Sequence, residues 1–180
     1  MRKKSTPKPK GVASTNYLLS LDISLTCTGF VVCRVENGKL VIRDSGIIRP
    51  VMDKSNSHDG YRLLPLARFI ESLYETYSDL EDYVVRERGF GRFNNETQAI
   101  FKAHGVVEYV LHDKDIISYA PKTVKAKVTG NGNAKKESVE KHVRDFLADP
   151  NFVFLTNDVS DAAAVAITHF LATDYLVKAV

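Results

Sequence analysis

Three apolar segments near the start of the chain have the pattern of β-strands. Tyr17 to Asp22 is apolar and ends in an acid, Gly29 to Val35 is rich in β-branched residues, and Lys39 to Ile48 follows the turn signal Glu36-Asn37-Gly38. An Asn-Gly pair between two such segments is a strong hairpin signal. The pattern therefore predicts three strands that begin as an antiparallel meander.

Beyond the third strand, apolar residues recur at spacings of three and four, which is the period of an amphipathic helix. This spacing predicts a helix from Gly60 to Tyr77. Its apolar positions are Leu63, Leu64, Leu66, Ala67, Ile70, Leu73, Tyr74 and Tyr77. The segment from Tyr83 to Arg86 then returns to the strand pattern.

The second half of the chain alternates between helical and strand patterns. A helix is predicted over about Asn94 to Leu111, and a short strand follows from Asp115 to Tyr119. Pro121 can occupy the first turn of a short helix. Two further helices are predicted over Ala134 to Leu147 and roughly Val159 to Val177. The order of three strands, a helix, a strand, a helix, a strand and then a series of helices predicts an α/β fold. We expect a mixed five-stranded sheet, in which an antiparallel meander precedes parallel strands, with helices on both faces.

Length and composition predict a single domain preceded by a basic tail. A chain of 180 residues with 44% hydrophobic content fits a single globular domain, which we place at 17–180. Residues 1–16 mix Lys, Pro, Ser and Thr and are expected to be disordered. Five of the 25 basic residues fall within Met1 to Lys10, so the rest of the chain has 20 basic and 22 acidic residues. A case for DNA binding must therefore rest on where the charges lie.

The sequence gives no reason to expect a membrane protein or a zinc site. No apolar segment has the length of a membrane span, and Ala162 to Ala172 is broken by Thr168 and His169, so a cytoplasmic protein is expected. Cys27 and Cys33 lack the further Cys or His residues of a zinc site. Both are expected to be buried reduced thiols without a chemical role.

Four carboxylates occupy positions where they could meet. Asp22 closes the first strand and Glu87 closes the strand after the first helix, and a charge in such apolar surroundings is costly unless it lies at a strand end or finds a cation. Asp158 and Asp161 stand three apart at the start of the last helix, which places both on one helix face. Together the four could form a site made only of oxygen ligands.

Such a cluster repels itself, so some pKa values must rise or divalent cations must neutralise it. Mg²⁺ suits carboxylate oxygens. Two such ions could activate a water for attack on phosphorus and stabilise the leaving 3′ oxygen, which hydrolyses a phosphodiester without a Ser, Cys or His nucleophile.

Each acid taken alone also has an ordinary structural interpretation. Asn157 or Asp158 could cap the last helix, while Asp161 favours its positive N-terminus. Asp22 could be a common strand-end acid. Glu87 could form a surface ion pair with the arginine on either side of it.

The stretch from Ala120 to Lys136 is the most basic part of the predicted domain. It contains five lysines and no acid: Lys122, Lys125, Lys127, Lys135 and Lys136. We expect it to follow DNA phosphates, with binding that weakens as salt rises. Gly130 and Gly132 could turn the chain sharply and aim backbone N–H groups at phosphate. The alternative is a plain interhelical turn with solvated lysines.

The loop after Glu87 is rich in Gly and Arg. Phe90 in this loop could stack on an unpaired nucleic-acid base, although it could also fold into the core, and Phe93 is a competing candidate. Arg88 and Arg92 could contact phosphates or pair with nearby acids. We therefore assign Phe90 and Arg92 as candidate DNA-binding residues.

Several of these motifs together resemble the RuvC-type Holliday junction resolvases of the RNase H-like nuclease superfamily. The resemblance spans roughly Tyr17 to Phe170 and combines Asp22 and Gly29, Glu87 and Phe90, Tyr119-Ala120-Pro121, Val124-Lys125, Gly130-x-Gly132-x-Ala134-x-Lys136, and Asp158-x-x-Asp161-Ala162-Ala163-Ala164-Val165-Ala166-Ile167-Thr168-His169. The string from Tyr119 to Lys136 followed by Asp-x-x-Asp-Ala is specific when found together.

The resemblance implies an RNase H-like fold in which Asp22, Glu87, Asp158 and Asp161 are the catalytic metal ligands. It implies Mg²⁺, with Mn²⁺ able to substitute, and a homodimer that cuts two opposed strands of a four-way junction. Lys125 and Lys136 fall on basic positions near the active site, where a cation stabilises charge on the cleaved phosphate. Lys136 is therefore counted with the catalytic residues.

Two departures from the family pattern are informative. The first strand begins only at Tyr17, and the loop after Glu87 is richer in Gly and Arg than expected. These features suggest a phage or otherwise divergent member, with a substrate range that could extend beyond four-way junctions.

Other functional classes share parts of this pattern. An RNase H-like nuclease for flaps or RNA–DNA hybrids would use the same acids, and a junction-binding protein could keep the fold without catalysis. Asp22-x-Ser24 near Gly29 also resembles the phosphate strand of actin-like ATPases. Those proteins need two such domains, so we expect no nucleotide cofactor here.

Overall fold

The structure is a computed structural model that describes residues 16–49, 58–89 and 94–177. The N-terminal tail lies outside these residues, and so do Phe90, Arg92 and Phe93. The expectations for the tail and for this loop therefore stay predictions.

The described residues form five strands and five helices around one sheet. In chain order these are β1 Tyr17–Asp22, β2 Thr28–Glu36, β3 Lys39–Ile48, α1 Asp59–Thr76, β4 Leu80–Glu87, α2 Asn94–Val110, β5 Asp115–Tyr119, α3 Pro121–Thr129, α4 Lys136–Phe146 and α5 Asn157–Ala172. The strand order is β3-β2-β1-β4-β5, with β1–β2 and β2–β3 antiparallel and β1–β4 and β4–β5 parallel. The predicted mixed five-stranded sheet is confirmed.

The meander begins with the predicted hairpin. Asn37 and Gly38 both have positive φ angles, of 51° and 72°, and they connect paired residues Glu36 and Lys39. Two central residues with positive φ characterise the type I′ turn, whose twist matches that of the flanking strands. Asn and Gly are the residues that adopt this conformation most readily.

Helices cover both faces of the sheet and divide the core in two. On one face, α3, α4 and α5 pack against residues such as Leu18, Val31 and Val85. On the other face, α1 and α2 pack against Leu19 and Val84. The alternation of Leu18 and Leu19 along β1 follows the period of two in a strand. The central strand is therefore buried on both faces, so a charged side chain is less costly at its end than within it.

Helix α5 is shifted relative to its predicted range. The predicted bounds of Val159 and Val177 are wrong, because the helix begins at Asn157 and ends at Ala172. The chain then turns at Asp174, which has a φ of 61°, and returns Leu176 to the core, where it is 2% exposed. The apolar residues after the turn continued the helical pattern in sequence, although they are buried through a reversal of the chain.

The first turns of α5 lie very close to the ends of β1 and β2. The hydroxyl of Ser20, buried on β1, donates to the carbonyl oxygen of Ala162 over 2.7 Å. A Cβ atom added at Gly29 on β2 would lie 2.1 Å from the carbonyl oxygen of Asp158. Any side chain at Gly29 would therefore displace the start of α5, and with it the acids that the helix carries.

None of the helices in the described ranges is both long and apolar enough to cross a membrane.

Candidate metal site

Three elements bring the four predicted acids to one edge of the sheet. Asp22 and Glu87 are the last residues of β1 and β4, which are parallel neighbours with Leu21 paired to Arg86. The carboxyl ends of parallel strands meet at the same sheet edge, so the residues after that pair lie side by side. Asp158 and Asp161 come from the start of α5, which packs across β1 and β2.

The electrostatics of Asp22 indicate that the other three acids lie near it. Its pKa is raised to about 8, first by burial and then by the charges of Asp161, Glu87 and Asp158, while Lys136 opposes the rise. Each neighbouring negative charge disfavours ionisation of the next. The acids that lie far apart in sequence therefore meet, as the strand-end pattern predicted.

Glu87 has the same environment in weaker form. Burial and the charge of Asp161 raise its pKa to about 7, and Lys136 and Lys125 oppose this rise. A metal-free pocket therefore holds protons on two of its acids near neutral pH.

The chemistry of the cluster fits a divalent cation, although the side chains are not already closed around one. All four acids offer oxygen, the ligand that Mg²⁺ and Mn²⁺ prefer, and their mutual repulsion is relieved by positive charge. Within the described ranges, no three Asp, Glu, His or Cys side chains are arranged to hold a metal ion. Instead, the ammonium of Lys136 donates to Oδ2 of Asp161 over 3.0 Å. A cation would compete with this lysine and with the protons.

The capping interpretation of the α5 acids is wrong. The N-cap residue of α5 is Thr156, and no side chain caps the helix. Oδ2 of Asp158 instead accepts from the thiol of Cys27 over 3.1 Å and from the hydroxyl of Thr156 over 3.2 Å. Asp158 is thus held toward the β1–β2 connection.

The ion-pair interpretation of Glu87 is also wrong for Arg86. Successive strand residues point to opposite faces, and Arg86 is buried on the α2 side of the sheet. Its guanidinium forms an ion pair with Glu108 and donates to the Ser118 hydroxyl over 3.1 Å. Glu87 therefore faces the acid cluster without Arg86 as its partner.

The lysine segment lies beside the acids, and its members differ in how near they come. Lys136 contacts Asp161, and Lys125, which is half-buried on α3, acts on the pKa of Glu87. The remaining lysines are exposed on α3 and before α4: Lys122, Lys127 and Lys135. Lys125 and Lys136, which the resemblance singled out, are the lysines of the described segment that oppose the raised pKa values of Asp22 and Glu87.

The glycine turn between α3 and α4 has the predicted sharp geometry. Gly130 ends α3 with a φ of 85°, in the left-handed region that glycine adopts without strain. The N–H groups of Asn131 and Asn133 are taken by the side chains of Thr129 and Asn131. These two donors are therefore used within the turn and are not free for a phosphate.

Sequence reasoning missed Cys27 and Thr156. Cys33 is buried as expected, but the prediction for Cys27 is wrong, since it is half-buried and contacts Asp158. Burial raises the pKa of the Cys27 thiol, which therefore stays protonated and acts as the donor. The available signal was the position of Cys27 in the short connection that follows Asp22. Because Asp22 pairs with Gly29, both ends of this connection lie beside Asp22.

His169 has a structural position within the same helix. It is 4% exposed, and its ring nitrogens lie 2.9 Å from the Tyr119 hydroxyl and 3.3 Å from the Tyr83 hydroxyl. Burial lowers its pKa to about 4, so the ring is neutral. It joins α5 to two strands on the core side.

The sheet order and the acids at its edge define an RNase H-like fold, and two solved structures share it. This chain superposes on "T. thermophilus RuvC in complex with Holliday junction substrate" with a TM-score of 0.76 and 21% identity, covering 88% of this chain and 95% of that one. For "Thermus thermophilus RuvC structure" the TM-score is 0.73 and the identity 22%, with 86% and 93% covered.

Sequence comparison then gives the family. The profile of "Crossover junction endodeoxyribonuclease RuvC" matches residues 18–169. The protein of that name from Bdellovibrio bacteriovorus is 32% identical over 154 residues, which cover 84% of this chain and 88% of the relative. The one from Geotalea uraniireducens is 32% identical over 157 residues, covering 84% and 86%. The chain belongs to the RuvC family, and the resemblance inferred from its motifs is confirmed.

The raised pKa values predict how the stability of the metal-free protein depends on pH. The pKa of Asp22 rises from 3.8 to about 8 and that of Glu87 from 4.5 to about 7 on folding. Between those values the folded state binds more protons than the unfolded state, so the free energy of unfolding should fall as pH rises from about 4 to about 8. Asp22→Asn should remove most of this fall. Above pH 8 the variant should be more stable than the wild type by on the order of 5 kcal/mol, since the pKa of Asp22 differs by about four between the folded and unfolded states.

Urea unfolding in EDTA at a series of pH values measures this effect. The matched control is Asp115→Asn, since Asp115 is an exposed acid at the opposite end of β5. Equal pH dependence in the wild type and in Asp22→Asn would show that the acids do not repel each other in the folded protein.

Proposed function

We propose that this chain is a structure-selective DNA endonuclease that resolves Holliday junctions and related branched DNA by hydrolysing phosphodiester bonds. The observation that carries the proposal is the meeting of Asp22, Glu87, Asp158 and Asp161 in one pocket beside Lys136. The curated relatives named above are crossover junction endodeoxyribonucleases, and a RuvC of the same fold was solved with a Holliday junction substrate.

The four acids would hold Mg²⁺, with Mn²⁺ able to replace it. When bound, two such ions supply the activation of a water and the stabilisation of the leaving 3′ oxygen. The oxygen-only donor set and the raised pKa values of Asp22 and Glu87 support this assignment, because both are what a cation would relieve.

Lys136 supplies a positive charge beside the acids. Its ammonium contacts Asp161 in the metal-free protein. Once Asp161 binds a cation, the ammonium becomes available to another anion. Lys136 and Lys125 would then stabilise the negative charge that builds on the cleaved phosphate. The exposed lysines of α3 and the α3–α4 turn would extend this positive surface along the bound DNA strand.

A homodimer would present two such pockets to the two opposed strands of a junction. Helix α2 offers a surface for this contact, since Phe101 is 59% exposed and Tyr109 is 81% exposed on it. These residues are eight apart and therefore lie on the same helix face, with Gly105 between them. Large exposed apolar side chains on one face are characteristic of a protein interface. Phe90 and Arg92 stay candidate DNA contacts from the loop that precedes this helix.

Replacing the acids tests the catalytic assignment. Asp22→Asn and Glu87→Gln should each lower the rate of cutting of a synthetic four-way junction in Mg²⁺ by at least about 100-fold, because several kcal/mol of charge stabilisation are lost. Junction binding in EDTA, measured by fluorescence anisotropy, should survive. Asp115→Asn is again the matched control and should cut at the wild-type rate.

The same assay separates the alternative functions. Flaps, linear duplex and RNA–DNA hybrids should be cut more slowly than the four-way junction. Preferred cutting of a hybrid or a flap would instead identify another RNase H-like nuclease. Junction binding without cutting by the wild type, in Mg²⁺ or Mn²⁺, would identify an inactive junction-binding protein.

Replacing the exposed lysines tests the DNA surface. Lys122→Ala and Lys127→Ala should each weaken junction binding and reduce the slope of log affinity against log salt by about 1, since each lost phosphate contact releases one counterion fewer. Lys102→Ala is the control, because Lys102 pairs with Asp59 on the α1–α2 side. Unchanged salt slopes for the α3 variants would place the DNA elsewhere.

Placing a charge on α2 tests the dimer. Tyr109→Asp should convert a dimer to a monomer in sedimentation equilibrium, because an uncompensated charge is costly in a buried interface. Leu64→Asp on α1, where Leu64 is 45% exposed, is the matched surface control. A wild-type protein that is monomeric at micromolar concentration, alone and on junction DNA, would contradict the dimer.

A further inference from the structure

Oδ2 of Asp158 accepts two hydrogen bonds from side chains that are distant from each other in sequence. The thiol of Cys27 lies 3.1 Å from this oxygen and the hydroxyl of Thr156 lies 3.2 Å from it. Among the described residues, no hydrogen bond engages Oδ1. One carboxylate oxygen is therefore fixed from two directions, while the other remains available.

The connection between β1 and β2 holds Cys27 in place through its own hydrogen bonds. The hydroxyl of Ser24 donates to the Cys27 carbonyl over 2.8 Å and accepts from the Cys27 N–H over 2.9 Å. The hydroxyl of Thr28 donates to the Ser24 carbonyl over 2.9 Å. This network fixes the backbone of Cys27 and therefore the point from which its thiol reaches Asp158.

The positively charged side chain of Arg49 also contacts the sulfur of Cys27. Nε of Arg49, which follows the end of β3, donates to Sγ of Cys27 over 3.4 Å. Donation from Arg49 to Cys27 and from Cys27 to Asp158 forms a chain that runs from the third strand to the acid cluster. The charged groups that act on the thiol are Arg49 on one side and Asp158 on the other.

We propose that Cys27 is a positioning residue, whose thiol, together with the Thr156 hydroxyl, orients the Asp158 carboxylate so that its free oxygen faces the cation. The proposal rests on the function proposed above, in which Asp158 is a metal ligand. It adds a role for a side chain that neither binds the metal nor touches DNA. A carboxylate that is already oriented loses less rotational freedom when it binds a cation.

Titration of the DNA-free protein with Mn²⁺ in a calorimeter tests the proposal. Cys27→Ala should weaken Mn²⁺ binding about fivefold, which corresponds to the loss of one modest hydrogen bond to a charged group. Cys27→Ser keeps a donor and should bind within about twofold of the wild type. Thr156→Val removes the second donor and should weaken binding to a similar degree. The Mg²⁺ concentration that half-saturates junction cutting should shift by the same factors, with an unchanged maximal rate.

The control is Cys33→Ala, which removes the thiol of Cys33 on β2 from the core, where Cys33 is fully buried. It should lower the melting temperature without changing Mn²⁺ affinity. Melting of every variant in EDTA shows that it is folded, and Thr156→Val carries the test should Cys27→Ala fail to fold.

Two results would overturn the positioning role alone. One is wild-type Mn²⁺ affinity in both Cys27→Ala and Thr156→Val. The other is equal weakening in Cys27→Ser and Cys27→Ala, which would show that packing by sulfur matters and donation does not. Asp158→Asn separates these results from failure of the proposed function: if it leaves Mn²⁺ affinity unchanged, Asp158 is not a ligand and both proposals fall.

Discussion

Repulsion among four carboxylates at the end of a buried sheet is the constraint on which the rest of this structure depends. Asp22 and Glu87 end apolar strands, so neither can turn away into water without disrupting the core that precedes it. Their raised pKa values record the cost of that position. In a metal-free protein, protons and Lys136 reduce the repulsion, and a divalent cation would relieve it in the same way.

The fold maintains this unfavourable cluster through contacts that favour folding elsewhere. Helix α5 is buried along most of its length, and its start is fixed by the Ser20 hydroxyl and by the missing side chain of Gly29. The close approach at Gly29 brings the backbone of Asp158 onto β2. A stable apolar interface therefore places two acids where two others already end their strands. The buried face of α5 stabilises the fold, whereas the acids at its first turns destabilise it. Proteins often break a rule of stability locally at a functional site and compensate for it elsewhere.

Much of this arrangement could be predicted from sequence because the signals are local. The bounds of β1, β3 and β5 follow from apolar runs and from one Asn-Gly turn, and they agree with the structure residue by residue. The candidate acids were found by their position at strand ends and by the spacing of Asp158 and Asp161. A charged residue directly after an apolar segment is costly to bury, and this pattern can be recognised from the sequence alone.

What sequence could not give depends on contacts between distant residues. Cys27 and Asp158 are 131 positions apart, and nothing near either one predicts their hydrogen bond. The end of α5 was missed because apolar residues resume at Tyr175 and Leu176 after only two polar positions, and no glycine marks the turn. Arg86 was assigned to the surface by its charge, whereas its ion pair with Glu108 requires knowing which helix covers that face of β4.

The position of Arg86 also shows how the site could be joined to the rest of the molecule. Adjacent residues of β4 face opposite sides, so Glu87 enters the acid pocket while Arg86 is fixed to α2 and to Ser118 of β5. The guanidinium is 10% exposed, and its partner Glu108 is 57% exposed on the outer side of α2. A buried charge is costly without its partner, so the register of α2 on β4 is tied to this pair. The helix whose outer face carries Phe101 and Tyr109 is thereby connected, through one strand residue, to the carboxylate of Glu87.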